Sequence, residues 1–466
     1  MGSKLLVSLS LALILAAAPT TEDAGISHAL DRLTFGARPG DLEQVRTMGL
    51  KTWIDQQLHP EKIAENPILE QRLHPLNSLR MSTAEMTRAY PPPQQFKKQL
   101  KANGGGDPNP ELRQQLRKSR KALATVERDL VEGKIYRAVY SNRQLAEVMA
   151  DFWYNHFNVY QRKGPDRYLV TEYEREAIRP HVLGKFKDLL LATAQSPAML
   201  VYLDNYRSVA PGMQRGKARG LNENYGRELM ELHTLGVDGG YTQKDVTEVA
   251  RCFTGWTIRQ PRAGAGFVFN RRLHDPGEKV VLGVRIPAGG GVEDGIKALD
   301  ILEHRPATAR FISTKLAIRF VSDDPPAALI DRMAKTFTRS DGDIRQVMSV
   351  LLESPEFWSE KTYHIKMKSP FEMVASAVRA LGVDVESAAA LASRIAEAGE
   401  PLYHKQEPTG YSNSSEEWVS TASLLARMNF GIALVENRIP GVTAPDAKIA
   451  ERITGVYLGG PEFQRK

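Results

Sequence analysis

The residues whose types and spacing are best suited to chemistry lie in one stretch, 222–256 (NENYGRELMELHTLGVDGGYTQKDVTEVARCFTGW). On a helical wheel, four polar side chains share one stripe of its first predicted helix: Asn224, Arg227, Glu228 and Glu231. Paired carboxylates suit general acid–base attack on a glycosidic bond or the binding of a hard cation. Glu228 and Glu231 are therefore candidate catalytic acids, and Asn224 and Arg227 are candidate substrate-binding residues.

A glycine-rich turn leads from this helix to a second one. Gly236 stands where a helix C-terminus favours a left-handed residue, and Thr242 with Asp245 predicts a capping box. Compared with a calcium-binding EF-hand loop, Thr234–Asp245 lacks two of the expected carboxylates. We predict no metal and no other cofactor, although weak calcium binding at Asp238 and Asp245 stays open. The acids are expected to accept hydrogen bonds from helix N-termini and arginines.

Two further segments extend the candidate site. His156 lies on the apolar face of a predicted helix, so it is either a catalytic candidate or a hydrogen-bonded core residue. His274 and Asp275 are adjacent in a predicted turn, where they either contribute to substrate binding or tie the loop together. If 222–256 packs against both segments, the three form one composite site.

A structural role for the carboxylates of 222–256 is the alternative. In that case the two helices are joined by salt bridges, with Arg227 and Arg251 as counter-ions. A structure with Glu228 and Glu231 both paired to arginines and away from any pocket would favour a binding protein. A carboxylate in a cleft with a pKa raised by burial would favour an enzyme.

Motifs beyond 222–256 cover most of the chain. They are HALDRLTFGARPGDL at 28–42, FWYNHF at 152–157, HDPGEKVVLG at 274–283, HRPATARFISTKLAIRFVSDDPP at 304–326, KMKSPFE at 366–372 and PTGY at 408–411. Together with 222–256 they closely resemble the bacterial family catalogued as domain of unknown function 1800. The resemblance implies an exported bacterial protein, often encoded beside a sulfatase-like partner family. It implies no activity, mechanism or catalytic residues.

The first 18 residues have the pattern of an export signal. Lys4 precedes an apolar run from Leu5 to Leu15, and three alanines follow. We predict a Sec-type signal peptide over 1–18 and a periplasmic or extracellular mature protein. Because the apolar run is too short to span a bilayer comfortably, no transmembrane span is expected in the mature chain.

The periodicity of the remaining chain predicts a mainly α protein, a large bundle-like body of many helices. Only 266–269 and 279–286 have strand character, which predicts one small β-ribbon near 266–286. No serine- or glycine-rich linker divides the chain, so 19–466 is predicted to be a single helical domain. Proline and glycine clusters predict a mobile loop near 91–109.

Several functional classes lack their motifs. The chain has no HExxH, Walker A, GxSxG or dinucleotide-binding sequence, and its single cysteine excludes a thiolate metal cluster. The net charge of +7 includes a basic patch over 97–121, which is either a solvated helix face or a binding surface. For an exported protein, such a surface indicates an acidic polysaccharide, lipid headgroups or cell-wall anions before nucleic acid. Two functions remain: a binding or assembly factor for an extracellular polymer or a sulfatase-like partner, or a hydrolase or lyase that acts on an extracellular glycan.

Overall fold

The computed structural model describes residues 21–93, 96, 110–215, 218–260, 264–443 and 454–466. The predicted signal peptide at 1–18 and most of the predicted loop near 91–109 lie outside the described residues. Within the described ranges, no helix has both the length and the apolar character that a membrane crossing requires.

Helices dominate the fold, as predicted, and 62% of the described residues are helical. The α-helices span Thr21–Leu33, Asp41–Met48, Leu50–Leu58, Pro67–Leu73, Thr83–Ala89, Pro110–Tyr140, Gln144–His156, Asp166–Glu172, Phe186–Gln195, Pro197–Tyr202, Glu223–Glu228, Gln243–Cys252, Val292–Glu303, Pro306–Phe320, Ala327–Arg339, Ile344–Leu352, Pro370–Ala380, Ala389–Glu397, Thr421–Val435, Gly455–Gly459 and Pro461–Gln464. Two of these helices continue into π-helical segments, Tyr173–Ile178 and Leu229–Thr234.

The β-structure of the described residues consists of short antiparallel pairs. The paired strands are Gln214–Arg215 with Ala218–Arg219, Trp256–Ile258 with Phe267–Phe269, Lys279–Val281 with Val284–Ile286, and Asp384–Val385 with Val442–Thr443. The small strand content and its location near 266–286 agree with the prediction.

The pairing of the ribbon differs from the sequence prediction. The two predicted strand segments do not pair with each other, because 267–269 pairs with 256–258 and 279–286 folds back on itself. Leu282 and Gly283 both have positive φ, 48° and 80°, and such a pair closes a two-residue hairpin turn. Strand character in a sequence indicates an extended segment, but it does not say which segment lies beside it.

One large hydrophobic cluster extends through the helical body, from Ile26 to Phe463. The helix Gln144–His156 contributes Leu145, which is fully buried, and Phe152, which is 1% exposed. Because this helix passes through the core, polar residues on its remaining face are also held in the interior. That face carries the residues around which the pocket described below is built.

Candidate functional site

The stretch 222–256 forms the predicted helix–turn–helix with one change in geometry. The first helix is α-helical over Glu223–Glu228 and continues as the π-helical segment Leu229–Thr234. A π-helical turn holds more residues than an α-helical one, so Glu231 is rotated from its expected position on the stripe. The predicted capping box of Thr242 and Asp245 is present at the start of the second helix.

The stripe residues of the first helix differ in their environments. Burial raises the pKa of Glu228, and the negative charge of Glu231 raises it further. Arg227 donates a hydrogen bond to Gln243 at 2.7 Å, and Asn224 is exposed. In the part of the chain that the structure describes, neither glutamate forms an ion pair with an arginine. The arginine pairs set out above for a binding protein are therefore not found among the described residues.

The acids of the second helix accept hydrogen bonds, as expected. Asp245 accepts from the N–H of Thr242 and, through its other oxygen, from the N–H of Leu282, both at 2.9 Å. Glu248 accepts from the N–H of Val280 at 2.7 Å and pairs with Arg251 at 2.8 Å. These hydrogen bonds attach the second helix to the hairpin 279–286.

Asp245→Ala is expected to lower the free energy of unfolding by about 1–2 kcal/mol. The substitution removes the capping box and leaves the N–H of Leu282 without its acceptor. Denaturant unfolding measures the loss. Asp238→Ala, which changes an exposed acid of the same turn, is the control and should stay within about 0.5 kcal/mol of the wild type. Stoichiometric metal in the wild type that both variants lose would contradict this structural role.

His274 and Asp275 belong to a buried polar network. The ring of His274 bonds to a backbone carbonyl at 2.8 Å through Nδ1 and to Asp294 at 3.0 Å through Nε2. Lys279, which is fully buried, binds the same carboxylate at 2.5 Å. Asp275 pairs with Arg251 at 2.7 Å. The polar side-chain atoms of His274 and Asp275, two of the predicted substrate-binding residues, thus already have partners within the protein.

His156 is buried against the end of the π-helical segment. Its Nε2 lies 3.1 Å from the carbonyl oxygen of His233, and its Nδ1 has no hydrogen-bond partner. Burial holds the pKa of His156 well below its usual range, and the positive charge of Lys315 lowers it further. A histidine that stays neutral in the core is poorly suited to proton transfer near neutral pH.

The stretch 222–256 contacts both of the other segments of the predicted composite site. The stretch 222–256 contacts His156 through His233, and it contacts the turn of His274 through Thr254, as predicted. These contacts involve different parts of the stretch. Among the described residues, no hydrogen bond or ion pair joins Glu228 to either His156 or His274.

The structure brings together other polar residues, in a pocket that we call the Asp151 pocket. Its volume of about 30 Å³ gives room for about two water molecules. It is lined by Lys134, Asp151, Phe152, Tyr154, Asn155, Asn158, Arg319, Ser369, Glu400, Leu402, Tyr403, Tyr411, Ser412, Asn413 and Trp418. Many of these residues belong to the motifs at 152–157, 304–326, 366–372 and 408–411.

Two cations hold Asp151 in the pocket. Lys134, on the long helix Pro110–Tyr140, pairs with Asp151 at 2.7 Å. Its ammonium group also lies 5.1–5.5 Å from the ring centres of three aromatic residues, Tyr154, Phe371 and Tyr403. Arg319 approaches the other oxygen of Asp151 at 3.5 Å. Charges so far from solvent are costly unless they are paired, which makes such a cluster a candidate functional site.

Arg319 connects the pocket to a second buried carboxylate, Glu372. The two side chains pair at 2.7 Å, and Lys466 binds the same oxygen of Glu372. Burial opposes ionisation of Glu372, but the positive charges of Arg319 and Lys466 outweigh it and hold the pKa well below its usual range. Burial and the charge of Arg319 lower the pKa of Lys466 to about 7. Arg319 is therefore the counter-ion that Glu372 keeps as Lys466 loses its proton, because a guanidinium stays protonated.

Glu400 has the opposite electrostatic environment. It is buried, and burial together with the negative charge of Asp151 raises its pKa to about 7. The N–H of Phe371 donates to its carboxyl group at 2.8 Å, which favours the ionised form but does not offset burial. Near neutral pH, Glu400 is therefore able both to donate and to accept a proton.

Two asparagines hold the loop 400–413 over the pocket: Asn155, on the helix Gln144–His156, and Asn158, just after it. Asn155 exchanges two hydrogen bonds with the backbone of Tyr411, at 2.6 and 2.7 Å. Gly410 has a φ of 71°, and a Cβ atom there would lie 2.2 Å from the carbonyl oxygen of Asn155. Asn158 donates to two carbonyl groups of the loop, at 2.8 and 3.0 Å. These contacts require glycine at 410 and fix the loop in place.

Tyr403 joins the pocket to the other π-helical segment, Tyr173–Ile178. Its backbone has a φ of 63°, which is uncommon for a residue other than glycine. Its hydroxyl donates to Glu174, whose carboxylate also pairs with Arg179 at 2.8 Å. Burial opposes ionisation of Glu174, but the charges of Arg179 and its neighbours lower its pKa to about 2. Backbone strain and π-helical segments often occur at functional sites.

The charged residues of this pocket lie far apart along the chain, so no local sequence pattern predicts it. Lys134 resembles one of many solvated charges on a long polar helix, and Glu400 follows a helix end at Gly399. The family motifs were the available indication, because four of them supply residues to one cavity.

Comparison with known proteins gives the family. A family model described as a protein of unknown function, DUF1800, matches residues 28–465. The chain belongs to the DUF1800 family. Searches of curated proteins and of solved structures found no significant match to this DUF1800 protein.

Proposed function

We propose that this DUF1800 protein is a hydrolase or lyase that acts on an extracellular glycan, with the Asp151 pocket as its catalytic centre. The observation that supports the proposal is the pair of unlike carboxyl groups at one cavity. Glu400 exchanges a proton near neutral pH, whereas Asp151 is ion-paired to Lys134. Neighbouring carboxyl groups in different environments are typical of acid–base catalysis.

The residues of the pocket fit either reaction. In hydrolysis, Glu400 protonates the leaving oxygen as its bond to the sugar breaks, and Asp151 stabilises the positive charge that develops on the sugar; a water molecule then bonds to that carbon and returns a proton to Glu400. In elimination, Glu400 removes a proton from carbon, Lys134 or Arg319 stabilises the negative charge that develops, and Glu400 passes the proton to the leaving oxygen as its bond to the neighbouring carbon breaks. Because the cavity holds only about 30 Å³, the scissile bond lies at its mouth, and Glu400 acts directly or through one water molecule.

A polysaccharide screen with a single variant tests the proposal. The wild type is incubated with neutral and acidic polysaccharides, and new reducing ends and unsaturated products are measured. Glu400→Gln is expected to lower the rate by about 100-fold or more. Glu397→Gln is the matched control. Glu397 is an exposed glutamate three residues before Glu400, and it pairs with Arg394. An active wild type with an equally active Glu400→Gln variant would show that the catalytic centre lies elsewhere.

The pH profile separates the two reactions. If Glu400 is a general acid, the rate falls as the pH rises through about 7, because its proton is lost. If Glu400 is a general base, the rate falls as the pH drops through the same region. A profile with no inflection near neutral pH would contradict both roles.

A second candidate function is that of an assembly factor for a sulfatase-like partner. The observation that favours it is a set of exposed apolar side chains on Thr421–Val435 and Gly455–Gly459, including Leu425 at 59% and Val456 at 72% exposure. Contiguous exposed apolar surface often marks a protein-binding site. Under this function, Leu425→Glu would abolish co-purification with the partner, whereas Glu400→Gln would not.

A further inference from the structure

A different cluster of ligand-type side chains lies outside the Asp151 pocket, at Glu303, His304 and Asp341. One oxygen or nitrogen atom from each residue lies within 4.8 Å of the other two. Nδ1 of His304 is 2.9 Å from Glu303, and its Nε2 is 3.2 Å from Asp341. Nδ1 also donates to the backbone carbonyl of Asp300 at 2.8 Å, so Nε2 is the nitrogen that is able to bind a metal. Two carboxylates and this nitrogen are within reach of one metal ion after small side-chain rotations.

The backbone brings these residues together from two helix ends. Glu303 is the last residue of the helix Val292–Glu303, and His304 follows it directly. Asp341 and Gly342 lie in the turn before the helix Ile344–Leu352, with φ values of 55° and 68°. A Cβ atom at position 342 would lie 2.5 Å from a carboxylate oxygen of Glu303. The left-handed φ favours glycine at 342, and the absence of a Cβ atom leaves room for the side chain of Glu303.

The burial of Glu303 indicates a missing partner. Its side chain is only 2% exposed, and one of its oxygens, Oε2, lies 2.9 Å from Nδ1 of His304 but receives no hydrogen bond from it, since that nitrogen bonds to the backbone carbonyl of Asp300 at 2.8 Å. An unsatisfied buried carboxylate is costly, and a bound cation would remove that cost. His304 and Asp341 are 53% and 43% exposed, so an ion has access from solvent.

We propose that Glu303, His304 and Asp341 bind a divalent metal ion, with Zn²⁺ as the ion that fits them best. Zinc accepts both imidazole nitrogen and carboxylate oxygen, at about 2.0–2.2 Å. Three protein ligands leave a coordination position for water. Calcium and magnesium prefer ligand sets made only of oxygen atoms.

The surrounding charges are compatible with a dication. Lys187 pairs with Oδ2 of Asp341 at 2.7 Å, which leaves Oδ1 directed at His304. Asp300 adds a third carboxylate, 3.3 Å from Nδ1 of His304. Because the ammonium of Lys187 competes for Asp341, Lys187→Gln is expected to tighten zinc binding.

Zinc titration of the full chain, after removal of metal with a chelator, tests this site. One Zn²⁺ ion per chain is expected, measured by competition with a chromophoric chelator. His304→Ala and Asp341→Asn should each weaken binding by about 100-fold or more. His59→Ala is the control, because His59 is paired with Asp55 at 3.4 Å but has no third ligand among the residues that the structure describes. It should leave the affinity unchanged.

Two outcomes would overturn the proposal. One is a wild type that binds no zinc at micromolar concentrations, in which case His304 only bridges the two carboxylates. The other is zinc binding that is unaffected by His304→Ala and Asp341→Asn, which would place the ion elsewhere. Both variants change exposed side chains, and unfolding curves recorded without metal verify that they are folded.

Discussion

Replacing Glu372 by glutamine is expected to destabilise the protein by about 3–5 kcal/mol. The substitution leaves the guanidinium of Arg319 buried without its 2.7 Å partner. The change in charge matters more than the change in shape, because glutamine has the same size and still caps the helix that begins at Pro370. Denaturant unfolding at neutral pH measures the loss.

The carboxylate of Glu372 also makes the stability of the protein depend on pH in the acidic range. The pKa of Glu372 in the folded protein lies well below its ordinary value of 4.5. Its contribution to stability is therefore complete above about pH 4.5 and is lost as the pH falls below that value. Glu356→Gln, which breaks the exposed pair with Arg332, is the control and should cost less than about 1 kcal/mol. If Glu372→Gln and Glu356→Gln lowered the free energy of unfolding equally, burial would not strengthen the pair of Glu372 with Arg319.

Replacing Glu400 by glutamine is expected to increase the stability of the protein relative to the wild type as the pH rises, whereas the Glu372 variant is less stable than the wild type. The folded protein raises the pKa of Glu400 from 4.5 to about 7. Between these two values the folded state holds a proton that the unfolded state releases, so the wild type loses stability as the pH rises. The full penalty, reached above about pH 7, is about 3 kcal/mol.

Glutamine at position 400 does not ionise, so the variant lacks this penalty. Its stability relative to the wild type should rise by about 3 kcal/mol between pH 4 and pH 8. The measurement is a series of denaturant unfolding curves across this range, with Glu397→Gln as the exposed control. A constant difference between variant and wild type would mean that Glu400 titrates normally, and the proposed acid–base pair would lose its basis.

Local features of this protein followed from the sequence. Helical periodicity predicted the buried face of Gln144–His156, and the Thr242–Asp245 capping box formed as predicted. The strand character near 266–286 was also correct. Each of these features depends on contacts between residues a few positions apart, so the local order of residue types is sufficient to indicate it.

Strand pairing and the π-helical geometry depended on the tertiary structure. The segment 267–269 pairs with 256–258, which begins at the last residue of the stretch 222–256. The π-helical segment Leu229–Thr234 moved Glu231 away from the predicted stripe. Neither feature is indicated by the local order of residue types.

The Asp151 pocket was decided by tertiary structure alone. Lys134, Asp151, Arg319 and Glu400 come from four separate elements, and nothing in their local sequences sets them apart from solvated charges. Their chemistry arises from burial: the same residue type has a pKa near 7 at Glu400 and far below 4.5 at Glu372. A sequence specifies which groups can ionise, but only the folded protein determines how far each is removed from water and which charge lies beside it.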